Sequence, residues 1–167
     1  MKDIEILYER YAGDVRRFAL YLCGAPAMAD EITSDTFVRA WMGGRIRQPT
    51  VKSYLFTIAR NTYTDLLRHA GRHTQLDEDM RDTRISAQEQ MENTADVRTV
   101  LAALKQLPEM DRTALLMRAL DGMPYAEIAE TLGIAVVTAK VKVHRARLKL
   151  MQITARREVI LEAGGKL

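Results

Sequence analysis

Apolar residues recur along most of this chain at intervals of three and four, the spacing that lays them on one face of an α-helix. Ile4, Leu7, Tyr11, Val15, Phe18 and Leu22 form one stripe, Ile32, Thr36, Phe37, Ala40 and Trp41 a second, and Leu55, Ile58, Ala59, Thr62 and Leu66 a third. No stretch alternates apolar and polar positions for long enough to predict a strand. Gly24 and Pro26 separate the first helix from the second, and Gly43, Gly44 and Pro49 the second from the third, because such residues interrupt helical periodicity. From about Gly71 to Thr94 the sequence is polar and acidic without a sustained apolar stripe, which reads as a linker.

The pattern resumes with Val97, Val100, Leu101, Leu104 and Leu107 and stops at Pro108. A helix is expected from about Glu109 to Leu120 with Leu115, Leu116, Ala119 and Leu120 inward, ended by Gly122 as a left-handed residue. Pro124 then opens a short helix through Thr131, since its missing donor has no partner in a first turn anyway. Gly133 supplies a turn, and a basic helix follows from about Val136 to Met151. The fold class is therefore all-α: two small helical domains, 1–71 and 95–151, joined by an acidic flexible linker, 72–94. Residues 152–167 form a C-terminal tail, whose Arg156, Arg157 and Glu158 are compatible with an extension of the last helix and whose Gly164 and Gly165 favour fraying.

Composition narrows the class. The chain has 167 residues, 47% hydrophobic and 28% charged, with a net charge of +3, enough apolar material for real cores and too much for wholesale disorder. Its single cysteine, Cys23, excludes a disulfide framework and a zinc site of several thiolates, and suits a reducing cytoplasm. Cys23 itself is either packed in the first helix or a redox-sensitive thiol. No run reaches the roughly 18 apolar residues of a membrane span, and Lys2, Asp3 and Glu5 interrupt any signal-peptide core. The expectation is a cytoplasmic protein with no membrane insertion.

Charge is segregated along the chain, which says more about partners than its total. Between Arg39 and Arg72 seven basic residues face Asp65 alone; between Thr74 and Asp96 seven acidic residues outweigh Arg81 and Arg84; between Thr138 and Arg157 seven basic residues meet no acid. Such runs are either solvated faces or polyanion-binding surfaces.

The most specific motif is Tyr125-Ala-Glu-Ile-Ala-Glu-Thr-Leu-Gly-Ile followed by Ala-Val-Val-Thr-Ala-Lys-Val-Lys-Val-His-Arg-Ala-Arg. A helix-turn-helix needs a short first helix with a small residue at the crossing, a tight turn, and a second helix with polar and basic groups outward. Ala129 is the small residue, Gly133 the turn, and Ile128, Leu132 and Ile134 the small core. On the second helix Ala139, Val143, Ala146 and Leu150 point inward by their spacing. That leaves Thr138, Lys140, Val141, Lys142, His144, Arg145 and Arg147, together with Val137, for the other faces. Lys and Arg there suit guanine edges or phosphates, and valine suits a thymine methyl. An ordinary helical hairpin with a solvated basic face is the alternative. His144 has no partner at metal-binding spacing, so no metal is expected.

The third stripe carries a second set of candidates. Trapping unstacked bases calls for aromatic or apolar platforms beside a cationic groove, and Lys52, Tyr54, Phe56, Arg60, Asn61, Tyr63 and Arg68 supply those types on and around one helix. Each aromatic has core packing as its other use, and Asn61 capping or bridging.

With these motifs in order the chain resembles the extracytoplasmic-function (ECF) sigma factors of bacterial RNA polymerase, the minimal two-domain group of the sigma-70 family. Gly122 to Leu150 is similar to their region four, with departures at Ala135, Val137, Ala139 and Val141. Leu7-Tyr-Glu-Arg-Tyr opens as their region two does. Ala29-Asp-Glu-Ile-Thr-Ser-Asp-Thr-Phe-Val-Arg-Ala-Trp resembles their polymerase-binding helix, and Ser53-Tyr-Leu-Phe-Thr-Ile-Ala-Arg-Asn-Thr-Tyr-Thr-Asp-Leu-Leu-Arg their promoter-melting helix.

The resemblance implies a promoter-specificity subunit. Asp30, Glu31, Asp35 and Arg39 would bind core RNA polymerase, with Ile32, Phe37, Ala40 and Trp41 turned inward. Arg45, Arg47 and Gln48 would capture a flipped base and, with Lys52, Tyr54, Arg60, Asn61 and Arg68, handle minus-ten promoter DNA. Thr138, Lys140, Val141, Lys142, His144, Arg145 and Arg147 would read the minus-thirty-five element. The family also implies an anti-sigma factor as partner and, for the acidic linker, a path toward the polymerase's RNA exit; a solubilising spacer is the linker's other use. No cofactor is implied. A stand-alone helix-turn-helix regulator is the second reading and leaves the N-terminal motifs unexplained. Nothing assembles for catalysis, since no Cys/His pair, phosphate-binding Gly loop or zincin motif accompanies His69 and His73.

Overall fold

The computed structural model describes residues 2–43, 49–71 and 95–164. Arg45, Arg47, Gln48 and the linker from 72 to 94 lie outside the described residues. Seven helices are described: α1 Lys2–Cys23, α2 Pro26–Gly43, α3 Val51–Ala70, α4 Ala95–Lys105, α5 Glu109–Asp121, α6 Tyr125–Leu132 and α7 Val136–Gly164. No strand occurs among the described residues. The chain divides into two compact units, residues 1–98 and 99–167.

In the first unit α1, α2 and α3 pack against one another. Val15, Phe18 and Leu22 of α1, Ala29, Ile32 and Phe37 of α2, and Leu55, Phe56, Ala59 and Tyr63 of α3 are buried together. Phe18 and Phe56 stack with ring centroids 4.4 Å apart, and Tyr8 meets the edge of Phe37 at 5.0 Å. The second and third stripes also bury hydroxyls. Thr33, Thr36 and Thr62 each donate to the carbonyl four residues back, at 2.7, 2.6 and 2.9 Å, so none of these three hydroxyls is stranded. Thr50 caps α3, its side chain accepting from the Ser53 amide at 3.1 Å, which offsets one of the orphan donors of the first turn.

The second unit is built on α5, α6 and α7. Ala114 to Met117 of α5, Ile128, Ala129 and Leu132 of α6, and Ala139, Val143 and Ala146 of α7 form its core, with Ala103, Leu104 and Leu107 from α4 and the turn after it also buried. Gly122 and Gly133 close α5 and α6 with φ of +68° and +66°, a conformation in which any Cβ is crowded by the following carbonyl. After Gly133 the Ile134 amide donates to the Ala129 carbonyl at 3.0 Å, satisfying a helix-end acceptor and aiming the chain into α7.

Four expectations are corrected. Trp41 is 61% exposed, because it sits in the last turn of α2, where the helix runs past its cover. Ala119 of α5 is exposed, and Leu120 of α5 and Leu150 of α7 are only half-buried, each lying at the edge of its stripe. The extension open to Arg156, Arg157 and Glu158 is realised: α7 continues past Met151 to Gly164, since neither glycine nor proline occurs between Gly133 and Gly164 to stop it.

Candidate nucleic-acid interface

The basic helix α7 is anchored by Ala139, Val143 and Ala146, all at most 1% exposed. With these turned in, helical geometry turns the opposite face to solvent. Val137, Val141 and Leu148 are 71%, 53% and 46% exposed, and His144 is exposed among them. Lys140 and Arg147 lie on one flank of this ridge, Thr138 and Arg145 on the other, all exposed. The outermost surface is thus a row of valine, valine, histidine and leucine edged with cations. Lys140 also lies 5.9 Å from the centre of the Tyr125 ring, whose other neighbour is Arg118 at 4.7 Å. Arg118 hydrogen-bonds the Gly122 and Met123 carbonyls at 3.3 and 3.1 Å, fixing the turn into α6.

Lys142 does not share this face. It is 18% exposed, and its ammonium lies 3.2 Å from Oδ1 of Asp111 in the first turn of α5. Arg145 reaches the same carboxylate from one turn on, with Nε 2.8 Å from Oδ2 and Nη2 3.0 Å from Oδ1. The Asp111 side chain is only 2% exposed, whereas that of Arg145 is 58% exposed. Hydrogen bonds from Arg145, and then from Lys142, hold the Asp111 carboxyl below its ordinary value of 3.8 against the opposing pull of burial. Without partners a carboxylate so deeply buried would be strongly disfavoured. Asp111 has no precursor in the sequence reading: it lies 31 and 34 residues from its partners, and an acid in a first helical turn is ordinarily explained by the helix dipole.

The candidates on α3 separate into two groups. Phe56 is fully buried against Phe18, and Tyr63 is 6% exposed, so both belong to the core. Lys52 is half-buried, 5.6 Å above the Phe56 ring, and Tyr54 is half-buried with its hydroxyl against Gly43. Arg60 is half-buried and Asn61 exposed. Arg68 pairs with Asp65 at 2.6 Å, and Arg39 of α2 meets the other oxygen of that carboxylate at 2.8 Å. These two arginines, Arg39 foremost, lower the Asp65 pKa.

On α2, Glu31 is exposed and Asp35 half-buried, while Asp30 bonds Arg16 at 2.6 Å. Val38, Trp41 and Met42 add 52%, 61% and 80% exposed apolar side chains to the same helix. Val38 and Trp41, with Phe37 and with Ile4, Glu5, Tyr8 and Glu9 of α1, line an open groove of about 330 Å³. Large exposed apolar groups gathered beside acids are the marks of a protein-docking face. Among the described residues no group of His, Cys, Asp and Glu is placed to hold a metal ion, and no helix is long and apolar enough to cross a membrane.

The described residues thus carry a helix-turn-helix with an outward basic helix in one unit and an exposed apolar patch beside acids in the other. Comparison with known proteins makes this specific. Residues 7–73 match the family Sigma-70 region 2, and residues 98–150 match Sigma-70, region 4. The chain is 33% identical to the ECF RNA polymerase sigma factor SigL of Mycobacterium tuberculosis, over 88% of each chain. It is 32% identical to SigE of Mycolicibacterium smegmatis, over 93% of this chain and 63% of that one. Among solved structures, the sigma factor RpoE of Bartonella quintana, in complex with the anti-sigma factor NepR, superposes with a TM-score of 0.75 at 25% identity, over 93% of this chain and 98% of that one. CnrH, in complex with the cytosolic domain of CnrY, shares the fold, with a TM-score of 0.67 at 23% identity over 93% and 89%. The chain belongs to the ECF group of the sigma-70 family.

Proposed function

We propose that this chain is a promoter-specificity subunit of bacterial RNA polymerase, acting in the cytoplasm without bond chemistry of its own. The observation that carries the proposal is the joint presence of region 2, with its docking face, and region 4, with its outward-facing basic helix. In this reading Asp30, Glu31, Asp35 and Arg39, together with the exposed Val38 and Trp41, bind core polymerase. Residues of α3, with Lys52, Tyr54, Arg60, Asn61 and Arg68 at its surface, engage the minus-ten element, as do Arg45, Arg47 and Gln48 before it. The ridge of α7 enters the major groove at the minus-thirty-five element, where Thr138, Lys140, Val141, His144, Arg145 and Arg147 meet base edges and phosphates.

Two weak sites held at a set distance by core enzyme gain effective concentration from each other, so promoters are selected by spacing as well as by sequence. An anti-sigma factor that covers these surfaces would hold the chain inactive until a signal arrives. The RpoE–NepR complex supports this partner by likeness. A stand-alone regulator would have no use for the apolar face of α2.

Run-off transcription on a genomic promoter library, with core polymerase and with or without this chain, tests the proposal. Defined transcripts that need the chain are expected. No new transcript, together with failure to co-elute with core, would overturn it. Lys140→Glu is expected to remove promoter-specific transcription while sparing core binding, and Asp35→Lys to weaken core binding. Arg145→Glu is a poorer probe, because it places a second carboxylate beside buried Asp111.

A further inference from the structure

We propose that Asp111 is a positioning residue for base-specific readout by Arg145. This rests on the reading of α7 as the helix that enters duplex DNA, and goes beyond it by naming the group that orients one of its side chains.

An arginine offers five N–H donors in a planar fork. Asp111 engages Arg145 side-on, through Nε and Nη2 at 2.8 and 3.0 Å, which consumes two donors. Three remain, of which two, one on each Nη, face outward at the end of the guanidinium, and the side chain is 58% exposed on the flank of the α7 ridge. Asp111 itself is almost inaccessible at 2%, so its place is set by the packing of α5 and α7. The guanidinium is therefore fixed at its inner edge by a rigid carboxylate and open at its outer edge. Bidentate recognition of a guanine requires this: both outer donors presented in one plane toward O6 and N7. A free arginine finds that geometry only by giving up rotamer freedom on binding.

Lys142 completes the arrangement. One cation on a carboxylate would leave a neutral pair, with little attraction for the DNA backbone. Lys142, 3.2 Å from Oδ1 and largely covered, restores a net charge of +1 to the trio. Arg145 is thereby oriented by Asp111 without its attraction for DNA being cancelled. In this reading Lys142 acts from inside the fold and not as a contact to bases.

The test starts from a promoter active in the run-off experiment above, with each base pair of its upstream element randomised in turn. Transcription from this library is sequenced for core polymerase carrying wild-type chain, Asp111→Asn, Arg145→Ala or the double variant, and far-UV circular dichroism follows the fold of each. Wild type is expected to prefer one base at a pair where Arg145→Ala shows no preference. Asp111→Asn should lower that preference about tenfold at the same pair, leave the other positions as they were, and keep or raise total DNA affinity, since a negative charge has been removed. The double variant should be no flatter than Arg145→Ala. Should Asp111→Asn unfold, Asp111→Glu keeps the charge but displaces the carboxylate, and should lower the same single preference.

Unchanged preference at that pair in a folded Asp111 variant would overturn the proposal, as would a uniform weakening at every pair, the signature of a purely structural strut. An upstream element without preference in the wild type would overturn the DNA reading of α7 itself.

Discussion

Replacing Phe56 by alanine separates two uses of an aromatic residue on α3 that the sequence leaves equivalent, a platform for unstacked bases and a piece of core. Its ring is wholly buried and stacked on Phe18 at 4.4 Å. Truncation of a fully buried phenylalanine costs about 3–5 kcal/mol, from lost transfer free energy and the residual cavity. A helical unit of about 70 ordered residues is stable by about 4–10 kcal/mol, so the substitution should remove much of the stability of the first unit. With a urea slope near 1 kcal/mol per molar for so small a unit, the midpoint should fall by about 3–5 M, or as far as the unit's own stability allows. Far-UV circular dichroism of the full chain against urea is the assay; the transition of the second unit should stay where it was. Phe56→Leu refills most of the volume and should cost less than about 1.5 kcal/mol. A Phe56→Ala chain with an unchanged midpoint that had nonetheless lost promoter opening would refute the core assignment.

Other outcomes follow from the geometry. Gly133→Ala, at φ +66° with nothing within 4 Å of a built Cβ, should destabilise the second unit by about 1–2 kcal/mol through backbone strain alone, and Gly133→Asn by less; urea midpoints decide. A lowered Asp111 carboxyl contributes stability that is present above the ordinary value of 3.8 and is lost as pH falls through the lowered folded value. The gap in urea midpoint between wild type and Asp111→Asn should accordingly hold from neutral pH down to about pH 5 and close below about pH 4. Asp65→Asn should cost less than about 1 kcal/mol, less still in high salt, because its partners Arg39 and Arg68 are 44% and 75% exposed; thermal melts at two ionic strengths test this.

The helices of the described residues, the helix-turn-helix and its glycine hinges are legible in the chain because each is written locally, as periodicity or as a residue demanded by one turn. Phe56 was half legible: its spacing to Ala59 and Tyr63 marks a buried stripe, but an aromatic beside Lys52 and Arg60 also fits a nucleic-acid surface, and only packing decides. The exposure of Trp41 is not legible, because periodicity tells which face a residue shares with Phe37, not where along the helix the neighbours stop. Asp111 is illegible for a different reason. Its meaning lies in two cations on another helix, and their pairing depends on how α5 and α7 cross. Lys142 reads as an outward residue because a lysine on a basic helix is ordinarily solvated, and the buried carboxylate that covers it leaves no local mark.

Trp41 is the chain's single tryptophan, and it stands 61% exposed on the rim of the α1–α2 groove. Chain grown with a fluorinated indole would carry one fluorine resonance, from the face proposed to meet the polymerase. Its shift on mixing with core enzyme, or with an anti-sigma factor, would register occupation of that face without any engineered label. Nature has already placed the probe where the docking question is asked.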